Sequence, residues 1–97
     1  MQSKTAEIKE ILSNYYFYKM QLLSGTLDAL TKEKFIFIGK CIDGLDERNR
    51  KLIGDFYFGV RSKEEMANEQ FCVRTTIYRR VNKIINKINA LYKRQFP

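Results

Sequence analysis

The sequence predicts an all-α fold from two observations, the scarcity of turn residues and the spacing of hydrophobic residues. The 97 residues contain 5 glycines and 1 proline, whereas a β-sandwich or barrel needs turn residues about every 8 to 12 positions. Hydrophobic residues make up 44% of the chain, and most recur at the three- and four-residue steps of one helix face. We therefore expect one helical domain over residues 1–97. Residues 1–44 should form an N-terminal helical hairpin, and residues 45–97 a trihelical helix-turn-helix unit with a long C-terminal helix.

The first predicted helix is amphipathic and ends near Ser24 and Gly25, where glycine can adopt the left-handed conformation that stops a helix. The aromatic block at residues 15–18 surrounds this helix with rings, so its side chains cannot all reach one core. The block has three interpretations: packing in the core, a contact between subunits, or a platform for stacked bases. The apolar positions of this helix are Ile8, Ile11, Leu12, Tyr15, Leu22 and Leu23.

The next two helices are separated by Asp43 and Gly44. The first of them covers residues 27–42. Its run at residues 35–38 also fits a short buried strand, but helix is preferred because a lone strand would have no partner. Asp46 is predicted to cap the following helix. We expect its inward side to consist of Leu52, Ile53, Phe56 and Tyr57, with Gly59 just past its end.

The last two helices have the layout of a helix-turn-helix. Ser62 and Glu65 form a capping box, which predicts a helix start at Ser62. A turn at residues 71–73 should follow. Where the two helices cross, Ala67 supplies the small residue and Ile77, ten positions later, supplies the aliphatic anchor. The apolar stripe predicted for the last helix is Ile77, Val81, Ile84, Ile85, Ile88, Leu91 and Tyr92.

The net positive charge is confined to residues 74–97, which contain this last helix. Residues 1–73 carry 11 bases and 11 acids, while residues 74–97 carry seven bases and no acid, which accounts for the whole net charge of +7. A neutral body with a basic segment indicates a phosphate-bearing or anionic partner, although a solvated helix face is the simpler interpretation. The early turns would enter a DNA major groove, and later cations would contact phosphates. The base-contact candidates are Arg74, Thr75, Thr76, Tyr78 and Arg79, and the phosphate-contact candidates are Arg80, Lys83 and Lys87.

Other chemistry has little support in the sequence. Histidine is absent, which removes the commonest general base and zinc ligand. Asp43, Asp46 and Glu47 are more typical of helix caps than of a Mg²⁺ site. There is no phosphate-binding loop and no nucleophile with a nearby base. We therefore expect no enzymatic activity, no catalytic residue, no metal and no cofactor.

The cysteines and the apolar runs predict where the protein works. Cys41 and Cys72 lie in helical patterns, which favours free, buried thiols in a reducing compartment. The N-terminus has no apolar leader, and no apolar run is long enough to cross a membrane. We expect a cytoplasmic protein without a membrane partner.

Residues 45–53, 56–59, 62–67 and 74–81 resemble region 4 of sigma-70-type factors. They look closer still to the small sigma-region-4-like regulators of phages and prophages, the ArpU-type late transcription regulators. The resemblance covers about residues 45–92. It implies a sequence-specific, double-stranded DNA-binding regulator of late genes in the cytoplasm of a bacterial host, whose helix from near residue 74 reads the major groove.

One such motif makes few base contacts, so high affinity usually requires two half-sites. We therefore expect a homodimer, built from the N-terminal aromatic helix or the tail of the last helix, or else tethering to RNA polymerase. Two alternatives remain open. One is a DNA-packaging protein resembling a small terminase subunit, and the other is a basic protein-interaction module that does not bind DNA.

Overall fold

The computed structural model describes residues 5–59, 63–69 and 74–97, which form helices and contain no strand. This confirms the all-α class predicted from the sequence. Within these ranges the chain forms six α-helices and one π-helical turn. They are α1 (Ala6–Ser13), α2 (Tyr15–Ser24), α3 (Ala29–Asp43), α4 (Glu47–Ile53), the π-helical turn (Gly54–Phe58), α5 (Lys63–Glu69) and α6 (Arg74–Gln95).

The first predicted helix is divided in two at Asn14. The side-chain amide of Asn14 donates a hydrogen bond to the carbonyl of Glu10 over 2.9 Å, and its backbone leaves the helical region at φ −115°. Such side-chain bonds compete with the helical ladder. As a result α1 buries its apolar side, whereas α2 has no fully buried residue. The prediction that Leu23 belongs to the inward apolar side of this helix is wrong, since Leu23 is 75% exposed. The predicted stop at Gly25 is confirmed by its φ of 75°.

α3 passes through residues 35–38 without interruption, so the helix prediction is correct and the strand alternative is wrong. The Asp28 carboxylate caps α3 by accepting the Thr31 N–H over 3.0 Å. Phe35 is buried, and its ring centroid lies 4.9 Å from that of Tyr15 and 6.4 Å from that of Tyr18. These ring contacts hold α2 against α3 as a hairpin.

Asp46 caps α4 as predicted, because its Oδ1 accepts the Asn49 N–H over 2.7 Å. After α4 the helix widens into the π-helical turn, which is a departure from the continuous helix expected up to Gly59. The wider turn lets three consecutive aromatic residues pack half-buried against the core: Phe56, Tyr57 and Phe58. The chain then turns at Gly59, where an added Cβ would lie 2.9 Å from the Asp55 carbonyl oxygen. Only glycine permits this approach.

The hydrophobic core draws on every α-helix except α2. α6 contributes more core residues than any other helix. One member of its predicted stripe is wrong: Leu91 is 49% exposed, because it borders an open groove between α3 and α6. The core consists of Ile8, Ile11, Leu12, Phe35, Ile38, Ile42, Leu52, Ile53, Met66, Ala67, Ile77, Val81, Ile84, Ile85, Ile88 and Tyr92.

The two cysteines were both predicted to be buried thiols. Cys41 is a free thiol on α3, but it is only half-buried, because it too borders the groove between α3 and α6. Its partial burial raises the pKa of the thiol. Cys72 lies outside the described residues, together with Ser62 of the predicted capping box and the predicted turn at residues 71–73.

Candidate nucleic-acid interface

α6 carries all eight predicted DNA-contact residues, but the helix divides them among three sides. Residues three or four apart share a side of an α-helix, and the core stripe occupies the fourth side. Arg74 contacts Glu64 of α5 and Tyr78, whereas Thr75 and Arg79 are exposed away from the core. Arg80, Lys83 and Lys87 line a groove with residues of α4, and Thr76 lies one turn before Arg80.

On the flank toward α5, Arg74 already has protein partners. One guanidinium nitrogen lies 3.4 Å from the Glu64 carboxylate, and another donates to the Tyr78 hydroxyl over 3.3 Å. The hydrogen bond with Tyr78 raises the pKa of Arg74. These groups are exposed, and exposed ion pairs are weak. A DNA contact by Arg74 would therefore require a rearrangement of a solvent-screened network.

The outward side presents Thr75 and Arg79, which are both exposed. In the described part of the chain, no carboxylate lies within ion-pair distance of Arg79. The guanidinium can therefore reach a partner without first breaking an ion pair with those residues. Arginine in this position can donate two hydrogen bonds to one guanine.

The flank toward α4 borders a basic groove with a volume of about 330 Å³. Lys83 and Lys87 are exposed at its edge. The single carboxylate of the lining, Asp46, is already engaged in capping α4. The groove therefore has an excess of positive charge that suits an anionic ligand. Its lining consists of Asp46, Arg48, Asn49, Leu52, Arg80, Lys83, Ile84 and Lys87.

Arg48 is the member of this groove that the sequence reasoning missed. It lies in the first turn of α4, within the part of the chain whose charges sum to zero. Only the packing of α4 against α6 brings Arg48 to the same groove as Lys83 and Lys87. No local pattern in the sequence links Arg48 to the cations of α6.

α5 packs against α6, and the two residues predicted to pack the motif are both buried. Ala67 is 4% exposed and Ile77 is fully buried, and both belong to the hydrophobic core. α5 has seven residues and begins at Lys63. This packing fixes the side of α6 that is buried, and hence the sides that can contact a partner.

The described residues contain neither a metal-binding cluster nor a membrane-spanning helix. Across residues 5–59, 63–69 and 74–97, no three carboxylate or thiol side chains are grouped so as to hold a metal ion. None of the helices in these ranges combines the length and the apolar character needed to cross a bilayer.

No protein-family model, characterised protein or solved structure matches this chain. The arrangement of its own side chains therefore has to support any proposal for its function.

Proposed function

We propose that the protein is a sequence-specific, double-stranded DNA-binding transcription regulator that inserts the first turns of α6 into the major groove. The observation that carries this proposal is the basic groove between α4 and α6, lined by Arg48, Lys83 and Lys87. Arg79 is exposed on the same helix, one turn before Lys83. The resemblance to the sigma-region-4-like regulators of phages and prophages supports the same function.

The arrangement matches what a major groove requires. The groove is about 12 Å wide and admits one α-helix, with a row of phosphates along each edge. A reading helix should therefore present base-contacting groups opposite its core side and cations on its flanks. In this arrangement Thr75 and Arg79 face the base edges, and Thr76 lies beside them.

The phosphate contacts follow from the two flanks. Arg48, Lys83 and Lys87, with Arg80, would meet the backbone at the edge nearest α4. Arg74 and Tyr78 lie on the opposite flank, where opening of the Glu64 contact would free the guanidinium for the other strand. Phosphate contacts of this kind supply affinity and orientation, whereas Arg79 supplies discrimination between sequences.

The test begins with incubation of the protein with fragments of the source genome at about 150 mM salt and recovery of the bound DNA. At this salt concentration specific sites are bound much more tightly than other DNA. One or a few enriched sites are expected. On such a site, Arg79→Ala should cost about 1–3 kcal/mol, and less on random DNA. Lys83→Gln and Lys87→Gln should weaken binding to both DNAs alike, each lowering the slope of log K against log salt by about 0.9.

Lys32→Gln is the matched control, since Lys32 is an exposed lysine on α3 that does not line the groove. The affinity of the Lys32→Gln variant for both DNAs, and the slope of log K against log salt, should equal those of the unmodified protein. Equal losses on both DNAs for Arg79→Ala would make Arg79 a phosphate contact. Failure to recover any DNA would refute the proposal and favour an acidic protein surface as the partner of the basic groove.

A further inference from the structure

α2 exposes an apolar side to solvent, opposite the side that packs against α3. Tyr16 and Phe17 are each 62% exposed, Met20 is 67% exposed, and Leu23 is 75% exposed. The only charged residue among the ten of α2 is Lys19. Single exposed apolar residues are common on protein surfaces, but a contiguous group of them marks an interaction site.

A further exposed apolar residue follows the turn at Gly25: Leu30, the second residue of α3, is 55% exposed. We refer to Tyr16, Phe17, Met20, Leu23 and Leu30 as the α2 patch.

We propose that the α2 patch binds the α2 patch of a second copy of this chain, in a two-fold symmetric dimer with the α2 helices antiparallel. A two-fold interface must be self-complementary. If one residue contacts a second residue across the interface, the second residue of the same copy contacts the first residue of the partner. The stripe on α2 has this property. Phe17 and Leu23 lie three residues to either side of Met20, so an antiparallel pair centred on Met20 puts Met20 against Met20 and Phe17 against Leu23.

The exposed area is sufficient for such a pairing. A large apolar residue presents roughly 180 Å² when fully accessible, so the five residues, exposed by 55–75%, contribute about 100–135 Å² each. The five side chains then supply about 500–600 Å² per copy. Two copies bury about 1,000–1,200 Å², which reaches the lower limit of specific interfaces. The patch of one copy also equals the largest patches found on typical monomers.

Charge favours α2 over the tail of α6 as the dimer contact. The exposed Leu91 borders a groove that also contains Lys40 and Lys87. Residues 74–97 carry seven bases and no acid, so two copies of that surface would repel each other. α2 adds only Lys19 on each side.

The test is sedimentation velocity of the full chain without DNA, from about 1 µM to about 100 µM, the range in which small interfaces associate. The unmodified protein should approach twice its monomer mass of 11.5 kDa as concentration rises. Met20→Glu should remain monomeric at every concentration, because it places two carboxylates together at the two-fold axis. Leu91→Glu is the control, and it should dimerise as the unmodified protein does.

Circular dichroism of both variants should match that of the unmodified protein, because both side chains are exposed. A monomeric unmodified protein at the highest concentration would overturn the proposal and leave the patch to a different partner. Dissociation by Leu91→Glu with retention of the dimer by Met20→Glu would overturn it in favour of α6. None of these outcomes depends on DNA binding, so the dimer can fail without the proposed function and the reverse.

Discussion

The helical path of residues 35–38 can be tested by comparing Ile36→Ala with Ile38→Ala. The two isoleucines lie two positions apart on α3, yet Ile38 is fully buried and Ile36 is 38% exposed. In a strand, residues two apart face the same side, so both would be buried together. In the helix they face different sides, and the two substitutions should have unequal costs.

The magnitudes follow from burial. Isoleucine to alanine removes three carbon atoms, each worth about 0.8 kcal/mol when fully buried, or about 2.4 kcal/mol in all. At Ile38 a cavity adds to this loss, which brings the expected cost to about 3–4 kcal/mol, within the range of about 2–5 kcal/mol for such substitutions. At Ile36 the vacated space is open to water and part of the side chain was already hydrated, so we expect about 1 kcal/mol.

Urea unfolding followed by circular dichroism at one protein concentration measures both free energies of unfolding. Ile38→Val provides an intermediate step with an expected cost of about 0.5–1.5 kcal/mol. The reasoning is refuted if Ile36→Ala and Ile38→Ala destabilise the protein equally, since equal costs would mean that the two side chains share one environment.

Three further predictions concern local interactions. Asp46→Ala should lower the free energy of unfolding by about 0.5–2 kcal/mol through loss of the α4 cap, with Asp46→Asn as the control that retains most of it. Gly25→Ala should cost about 1–2 kcal/mol because of the positive φ at this position, and thermal unfolding would show it. Lys34 donates a hydrogen bond to Glu7 and so lowers the pKa of that carboxyl below 4.5. The stabilisation of the fold by this ion pair is therefore present above pH 4.5 and is lost as the pH falls through the lowered pKa of Glu7. Glu7→Gln should flatten the dependence of Tm on pH below that value, and an unchanged profile would contradict the assignment.

Local chemistry made several features predictable from the sequence. The cap at Asp46 and the left-handed stop at Gly25 act within a few residues of chain, so the sequence pattern contains all of their partners. The helical period of α6 likewise identified Ile77, Val81 and Ile88 as buried. The confinement of the net charge to residues 74–97 needs no structure at all.

Other features depended on contacts between distant parts of the chain. The break at Asn14 and the π-helical turn bring aromatic rings from α2 and the turn together, as in the 4.6 Å contact between Tyr15 and Phe58. No periodicity within one segment encodes such a contact. The basic groove had the same origin, because Arg48 joins Lys83 only through the packing of α4 on α6. The sequence by itself determined the cap of α4 at Asp46, the end of α2 at Gly25 and the net positive charge of residues 74–97, because each of these depends on neighbouring residues only. Only the tertiary structure decided that Leu91 is exposed and that Arg48 lies with Lys83 and Lys87, because both depend on how helices distant in the sequence pack together.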